Sequence, residues 1–238
     1  MSRKSRVVAP GFAHHITQRG NRQSDVFRDQ DDRLQYLKLL RQNSTRCGMW
    51  IWAYALMTNH IHAIVVPHSP TALSETFRNT HSAYGSWFNW KYRCSGHLWQ
   101  GRFYSCVLDE GHLGSAVRYV ERNPVRAGIV DRAEDYPWSS ARAHVCGRLD
   151  FVLDDGLPLA GLIEDWSQWL SANDTSCELE SIRTATAKHL ALGSDEFILR
   201  LEAELGRPLR PGKRGPKEKA AVEERSEAQG VFEMERQE

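Results

Sequence analysis

From Met49 to Pro67 the chain carries two apolar runs separated by a turn. Met49 to Met57 is almost wholly apolar or aromatic, Ile61 to Val66 is β-branched, and Thr58-Asn59 stands between them. Runs of this kind bounded by turn residues and a proline read as strands, and so short a link makes them an antiparallel hairpin. Upstream, Phe12 to Arg19 alternates with period two, which puts His15, Thr17 and Arg19 on one face before the turn at Gly20-Asn21. Asp29 to Cys47 has helical spacing, with Leu34, Leu37, Leu39 and Leu40 as its apolar stripe and Gly48 as its stop. Pro70 to Tyr92 repeats that pattern through Leu73, Phe77, Tyr84 and Phe88, and Phe103 to Asp109 alternates as a fourth strand. The order β-α-β-β-α-β predicts an α+β protein of the ferredoxin-like kind, an antiparallel sheet with helices on one face.

Glu110 to Asn123 is expected as a further helix, ending where Pro124 disfavours helical torsions at the residue before it. Pro137-Trp138-Ser139-Ser140 opens a segment running to about Val145, and residues 150–175 read equally well as helix or loop. Glu178 to Leu192 has helical character. Ser194 is placed to cap a last helix, Asp195 to Leu205, in which Phe197, Leu201 and Leu205 recur at i+4 before Gly206 and Pro208. The expected division is a catalytic domain over 1–149, a helical extension over 150–206, and a tail over 207–238. That tail starts with the basic run Arg210 to Lys217 and ends with the composition of a disordered segment.

Charge changes this picture more than bulk composition does. The net charge of +1 conceals a split: residues 1–130 hold 17 Lys and Arg against 8 Asp and Glu, whereas residues 131–238 hold 14 against 22. A basic half rich in aromatics suits a polyanion, most simply nucleic acid. The acidic half is therefore expected to cover the groove or tune its selectivity, and not to supply catalytic groups. Five scattered cysteines without Cys-x-x-Cys spacing argue for a reducing compartment. The basic N-terminus has no signal peptide's apolar region, and the longest apolar run, Met49 to Met57, is too short to span a bilayer, so the expected location is cytoplasmic, without a membrane partner.

The candidate chemistry lies in two stretches. In a strand His60 and His62 share a face about 7 Å apart, close enough to converge on one cation or phosphate. On a helix Tyr119 and Asn123 sit one turn apart, with Arg122 and Arg126 near the same face. Were the two stretches to meet, His60, His62 and the Asn123 oxygen would form an open site for a divalent cation, Mg²⁺ or Mn²⁺. Such a cation would polarise a phosphate for attack by the Tyr119 hydroxyl, with the arginines helping a weakly acidic phenol to ionise. Each element also has an ordinary structural reading: a packed tyrosine, a capping asparagine, a solvated basic face.

The combination of Met57-Thr58-Asn59-His60-Ile61-His62 with Tyr119-Val120-Glu121-Arg122-Asn123-Pro124-Val125-Arg126-Ala127 resembles the HUH single-tyrosine insertion-sequence transposases. Within them it is most similar to the REP-associated tyrosine transposases. Gln18-Arg19-Gly20-Asn21, Gly96-His97-Leu98-Trp99-Gln100-Gly101-Arg102-Phe103 and Asp135-Tyr136-Pro137-Trp138-Ser139-Ser140 extend the resemblance over about residues 5–145. A weaker likeness runs from Leu192 to Pro216. One departure stands in the tail, where Arg214-Gly215-Pro216-Lys217 replaces the Arg-Gly-Arg-Pro minor-groove hook of such relatives.

The resemblance implies cation ligation by His60, His62 and Asn123, and Tyr119 as the nucleophile that stays on the DNA 5′ end. The substrate it implies is single-stranded DNA folded into a hairpin, with Arg19, Asn21, Arg102, Arg122 and Arg126 as candidate DNA contacts. It is compatible with a monomer or a homodimer. Two rival readings remain open at this point: a hairpin-binding protein with little catalysis, and a zinc hydrolase of small molecules.

Overall fold

The computed structural model describes residues 6–209. The run Arg210 to Lys217, with its altered hook sequence, and the charged tail lie outside the described residues, as does the start of the basic N-terminal arm. The elements in chain order begin with β1 (His14–Arg19), α1 (Gln30–Cys47), β2 (Met49–Leu56), β3 (His60–Pro67), α2 (Ala72–Tyr92) and β4 (Tyr104–Leu108). There follow α3 (Glu110–Glu121), α4 (Asn123–Arg126), α5 (Ala141–Cys146), α6 (Trp166–Ser171), α7 (Ser176–Lys188), β5 (Ala191–Leu192) and α8 (Asp195–Leu205). The sheet order is β2-β3-β1-β4-β5; the first four strands are antiparallel, in the expected ferredoxin-like arrangement.

Local chemistry explains the boundaries. Asp29 caps α1 by accepting from the Asp32 amide, and Gly48 closes it in the left-handed conformation at φ 66°. Lys91, at the end of α2, reaches back to both Asp29 and Asp32 at 2.7 Å and ties the two helices together. At Gly20 the backbone passes so close to the Ser24 carbonyl that an added Cβ would lie 2.2 Å from its oxygen, so the turn after β1 requires glycine.

Alternation along the strands divides the sheet into two faces. Ile16, Ile51, Ile61 and Val65 point toward α1 and α2, where Leu37, Leu40, Leu73, Phe77 and Tyr84 complete a fully buried core. Ile64, Val66 and Cys106 point the other way, onto Leu113, Val117 and Val120 of α3. The two helices of the ferredoxin-like unit thus lie on one face as expected, and α3 with the extension covers the other. The second layer includes Trp166, Ile182 and Ala185 of the extension, which belong to the same apolar cluster as Tyr119. The boundary placed near residue 149 is thus no break in packing.

Two expectations about the chain after residue 110 need correction, and one open reading is resolved. The α3 ladder ends at Arg122 (φ −83°, ψ 1°), and Asn123 opens a new helical turn instead of closing the old one. Proline fits this first turn because its missing N–H has no intrahelical acceptor there. Residues 191–192, read as the end of a helix, form β5, parallel to Val107 and Leu108, after His189 terminates α7 at φ 56°. Residues 150–175 resolve into a short 3₁₀ turn and α6. Ser194 and Gly206 bound α8 as anticipated, and its Phe197 and Leu201 pack on Val7, Ala9 and Val107.

Candidate active site

The two candidate stretches meet on the α3 face of the sheet. Register pairs His60 with Arg19 and His62 with Thr17 across β3 and β1, so an apolar face becomes polar toward the start of β3. Above it α3 holds the Tyr119 ring edge-on to His62 and to His15, with 5.5 Å between centroids in each case. Tyr119, His60, His62, Asn123 and Arg19 line one cavity of about 570 Å³. Its remaining walls come from His15, Thr17, Gln100 and Tyr104, and from Arg183, Thr186 and Ala187 of α7.

Hydrogen bonds assign most of the imidazole protons. The Asn59 amide nitrogen donates to the Gln23 carbonyl at 3.1 Å, which turns its oxygen to His60 Nδ1 at 2.6 Å. An amide oxygen only accepts, so His60 carries its proton on Nδ1 and leaves Nε2 bare. His62 Nδ1 lies 2.9 Å from His15 Nε2, and His15 Nδ1 lies 2.7 Å from Thr186 Oγ1. Burial, followed by the nearby Arg19 guanidinium, lowers the His60 pKa to about 4. Burial, then His15 and His60, depresses His62 well below its ordinary range. Burial, then Arg126, lowers His15 to about 3. Neutral imidazoles with free nitrogens beside an amide are suitable donors for a divalent cation. Among the described residues no group of three or more His, Cys, Asp or Glu side chains joins them, so the set is small and uncharged. A cation there would depend on anionic oxygens of its substrate for the rest of its charge balance.

The helix bearing Tyr119 is fixed from behind. Glu121, fully buried, accepts from Ser140 Oγ at 2.5 Å and lies 2.6 Å from His144 Nδ1. Ser140 also accepts from the Tyr54 amide at 3.0 Å, the Leu56 amide donates to the Trp138 carbonyl at 2.8 Å, and the Tyr136 hydroxyl donates to the Leu56 carbonyl at 2.6 Å. The stretch from Asp135 to Ser140 thereby runs along the open edge of β2 and clamps α3 to the sheet. Such anchoring holds the Tyr119 side chain in place although its own hydroxyl makes no bond to a described residue.

With this geometry in place, residues 10–123 match the family model described as "Transposase IS200 like". This segment, from the turn before β1 to the start of α4, is similar to the IS200-like transposases. Among solved structures the chain is similar to that of a REP-associated tyrosine transposase bound to a REP hairpin. The TM-score is 0.52 at 20% identity, over 66% of this chain and 93% of that one. A protein from Deinococcus radiodurans R1, provisionally named a transposase, gives a TM-score of 0.37 at 15% identity, over 51% of this chain and 97% of that one. No curated protein matches.

The fold does not bring every candidate DNA contact to the cavity. Asn21 lines an adjoining groove of about 680 Å³ between α2 and the loop from Gly96 to Gly101, which meets the first cavity at Gln100. Arg102 is exposed on that loop but does not line the cavity. Arg122 is buried, donating to the Ala172 carbonyl and lying 3.3 Å from Asp174. Arg126 contacts Asp174 at 3.2 Å, donates to the Tyr119 carbonyl at 2.5 Å, and stacks 4.3 Å from the Tyr119 ring centroid. Arg118 completes the cluster at 3.0 Å from Asp174.

These arginines bind the extension to α3, so the solvated basic face suggested by the sequence is absent. The acidic half walls part of the cavity, through Arg183 and Thr186 of α7. Neither residue stood out in the sequence, and neither lies in a recognisable motif. Among the described residues no helix is long and apolar enough to cross a bilayer.

Proposed function

We propose that the chain is a metal-dependent enzyme that nicks and rejoins single-stranded DNA at hairpin sequences, with Tyr119 as nucleophile. The observation that carries this reading is the convergence of Tyr119, His60, His62 and Asn123 on one cavity beside the Arg19 and Arg183 guanidiniums. A hairpin substrate is supported by the similarity to a REP-associated transposase solved with a REP hairpin. His60, His62 and Asn123 would hold the divalent cation, Mg²⁺ or Mn²⁺, which when bound neutralises charge on the scissile phosphate.

The protein's own groups account for the covalent chemistry. Tyr119 loses its proton and its oxygen attacks phosphorus, the bond to the 3′ oxygen breaks, and that oxygen leaves as a 3′ hydroxyl. The 5′ phosphate stays on Tyr119 until another 3′ hydroxyl attacks it and releases the tyrosine. No phosphodiester energy is lost, so cleavage and joining are one reversible exchange. Arg19 and Arg183 draw the polyanion in and orient its backbone.

A hairpin oligonucleotide labelled at one end or the other tests this reading. The fragment downstream of the nick should stay with protein on a denaturing gel, and the upstream fragment should run free with a 3′ hydroxyl. Tight hairpin binding without either product would favour a binding protein. Hydrolysis to two free fragments would favour a metallohydrolase.

A further inference from the structure

The extension helix α7 enters the site through a buried pair of hydrogen bonds unrelated to the family segment's motifs. Thr186, 2% exposed, places its hydroxyl 2.7 Å from His15 Nδ1, and His15, 1% exposed, places Nε2 2.9 Å from His62 Nδ1. The two imidazole planes are 4° apart, so the rings face each other edge to edge along one line of hydrogen bonds. Only two proton orders are possible for two neutral imidazoles in such a line. If Thr186 donates, both ring protons point toward the cavity and His62 is left with a proton on Nε2. If Thr186 accepts, His15 carries Nδ1–H, His62 carries Nδ1–H, and His62 Nε2 has a free lone pair.

Arg19 lines the same cavity as His62, and His60 already offers a bare Nε2. Cations stabilise a lone pair facing them and repel an N–H, so the second order is favoured. Ligating histidines elsewhere use the same device, a partner on the far nitrogen that fixes tautomer and ring angle.

We infer that Thr186 and His15 are positioning residues that hold His62 as its Nδ1–H tautomer with Nε2 presented to the cavity. The extension is thereby part of the site's cation-binding apparatus. This rests on the reading of His60 and His62 as cation ligands.

The test uses the full-length chain and Thr186→Val, which keeps the volume and removes the hydroxyl, with Thr186→Ser as the conservative control. Proton-detected ¹⁵N spectra of the histidine rings in metal-free protein should show His62 protonated on Nδ1, and mixed tautomers in Thr186→Val. Titration with Mn²⁺ alone, followed by calorimetry at a temperature where circular dichroism shows all three chains folded, should show affinity about tenfold weaker in Thr186→Val and restored in Thr186→Ser. A wild-type His62 protonated on Nε2 would overturn the inference. So would Thr186→Val binding Mn²⁺ as well as wild type. A wild-type chain that binds no Mn²⁺ would instead bring down the ligand reading beneath it.

Discussion

The two faces of the sheet are built from the same strands and do different work. Toward α1 and α2, every second residue of β3 is apolar, and Ile61, Ala63 and Val65 close against a continuous core. Toward α3 and α7, Ile64 and Val66 are equally buried, but the series gives way to His62 and then His60. One face is packing from end to end; the other is packing at one end and a polar, histidine-lined cavity at the other. The difference teaches that the site is a designed interruption in the core. Its second layer needs both α3, from the family segment, and α7, from the extension. Neutral, desolvated histidines are the result, because burial disfavours their charged forms.

The sharpest way to break this comparison is to substitute on each face in turn. His60→Ala or His62→Ala should reduce hairpin cleavage below detection, as should excess chelator, while the fold survives. Mn²⁺ should support faster turnover than Mg²⁺, since imidazole and amide donors suit it better. Leu40→Ala on the packing face should cost about 2–5 kcal/mol of stability and leave the cleavage pattern of the folded protein intact. Cleavage in excess chelator would contradict the contrast.

Ending the chain near residue 149 should be almost as damaging, for a different reason. It would strip Trp166, Ile182 and Ala185 from the cluster that holds Val117 and Tyr119, and leave Arg118, Arg122 and Arg126 without Asp174. The truncated protein should aggregate or melt without cooperativity by circular dichroism. A folded, nicking fragment would show that the second layer does not need α7.

Acid should weaken the fold through its buried histidines. Burial lowers His14 to about 4 and His15 and His81 to about 3, against an ordinary value of 6.5. Between pH 6.5 and about 4 the unfolded chain binds protons that the folded chain refuses, so stability rises with pH and is fully present only above 6.5. Each such group costs about 1.4 kcal/mol per pH unit over that window. Urea midpoints at pH 7.5 and pH 5 should therefore differ clearly, with the acid value lower; equal midpoints would be inconsistent with neutral burial.

Arg183→Ala should give the smallest effect. It faces the cavity from an exposed position, so hairpin cleavage should slow several-fold and the salt dependence of binding should become shallower by about 0.7 in log–log slope, one phosphate contact on a single strand. An unchanged slope would place the DNA elsewhere.

The legibility of these features in the sequence follows their range along the chain. Strand alternation and the helix stop at Gly48 are local, and both came out as read. The His60 and His62 face and the Tyr119 and Asn123 pair were also visible, because each lies within one element or one turn. The Thr186 bond to His15 spans 171 residues, and nothing in α7 distinguishes that threonine from any other on an amphipathic helix. Arg122 and Arg126 looked like a free basic face because Asp174, about 50 positions on, carries no mark of its partners. β5 is two residues long, too short to show a period.

The central claim is that Tyr119 attacks DNA from the interrupted face of the sheet. It is tested most directly by trapping the hairpin reaction with Mn²⁺, digesting the protein, and sequencing the DNA-bearing peptide by mass spectrometry. The account predicts a nucleotide 5′ phosphate on Tyr119, absent from Tyr119→Phe, a variant that should still bind the hairpin because it loses only a hydroxyl with no described protein partner. DNA attached to another residue, or an undiminished adduct in Tyr119→Phe, would contradict it.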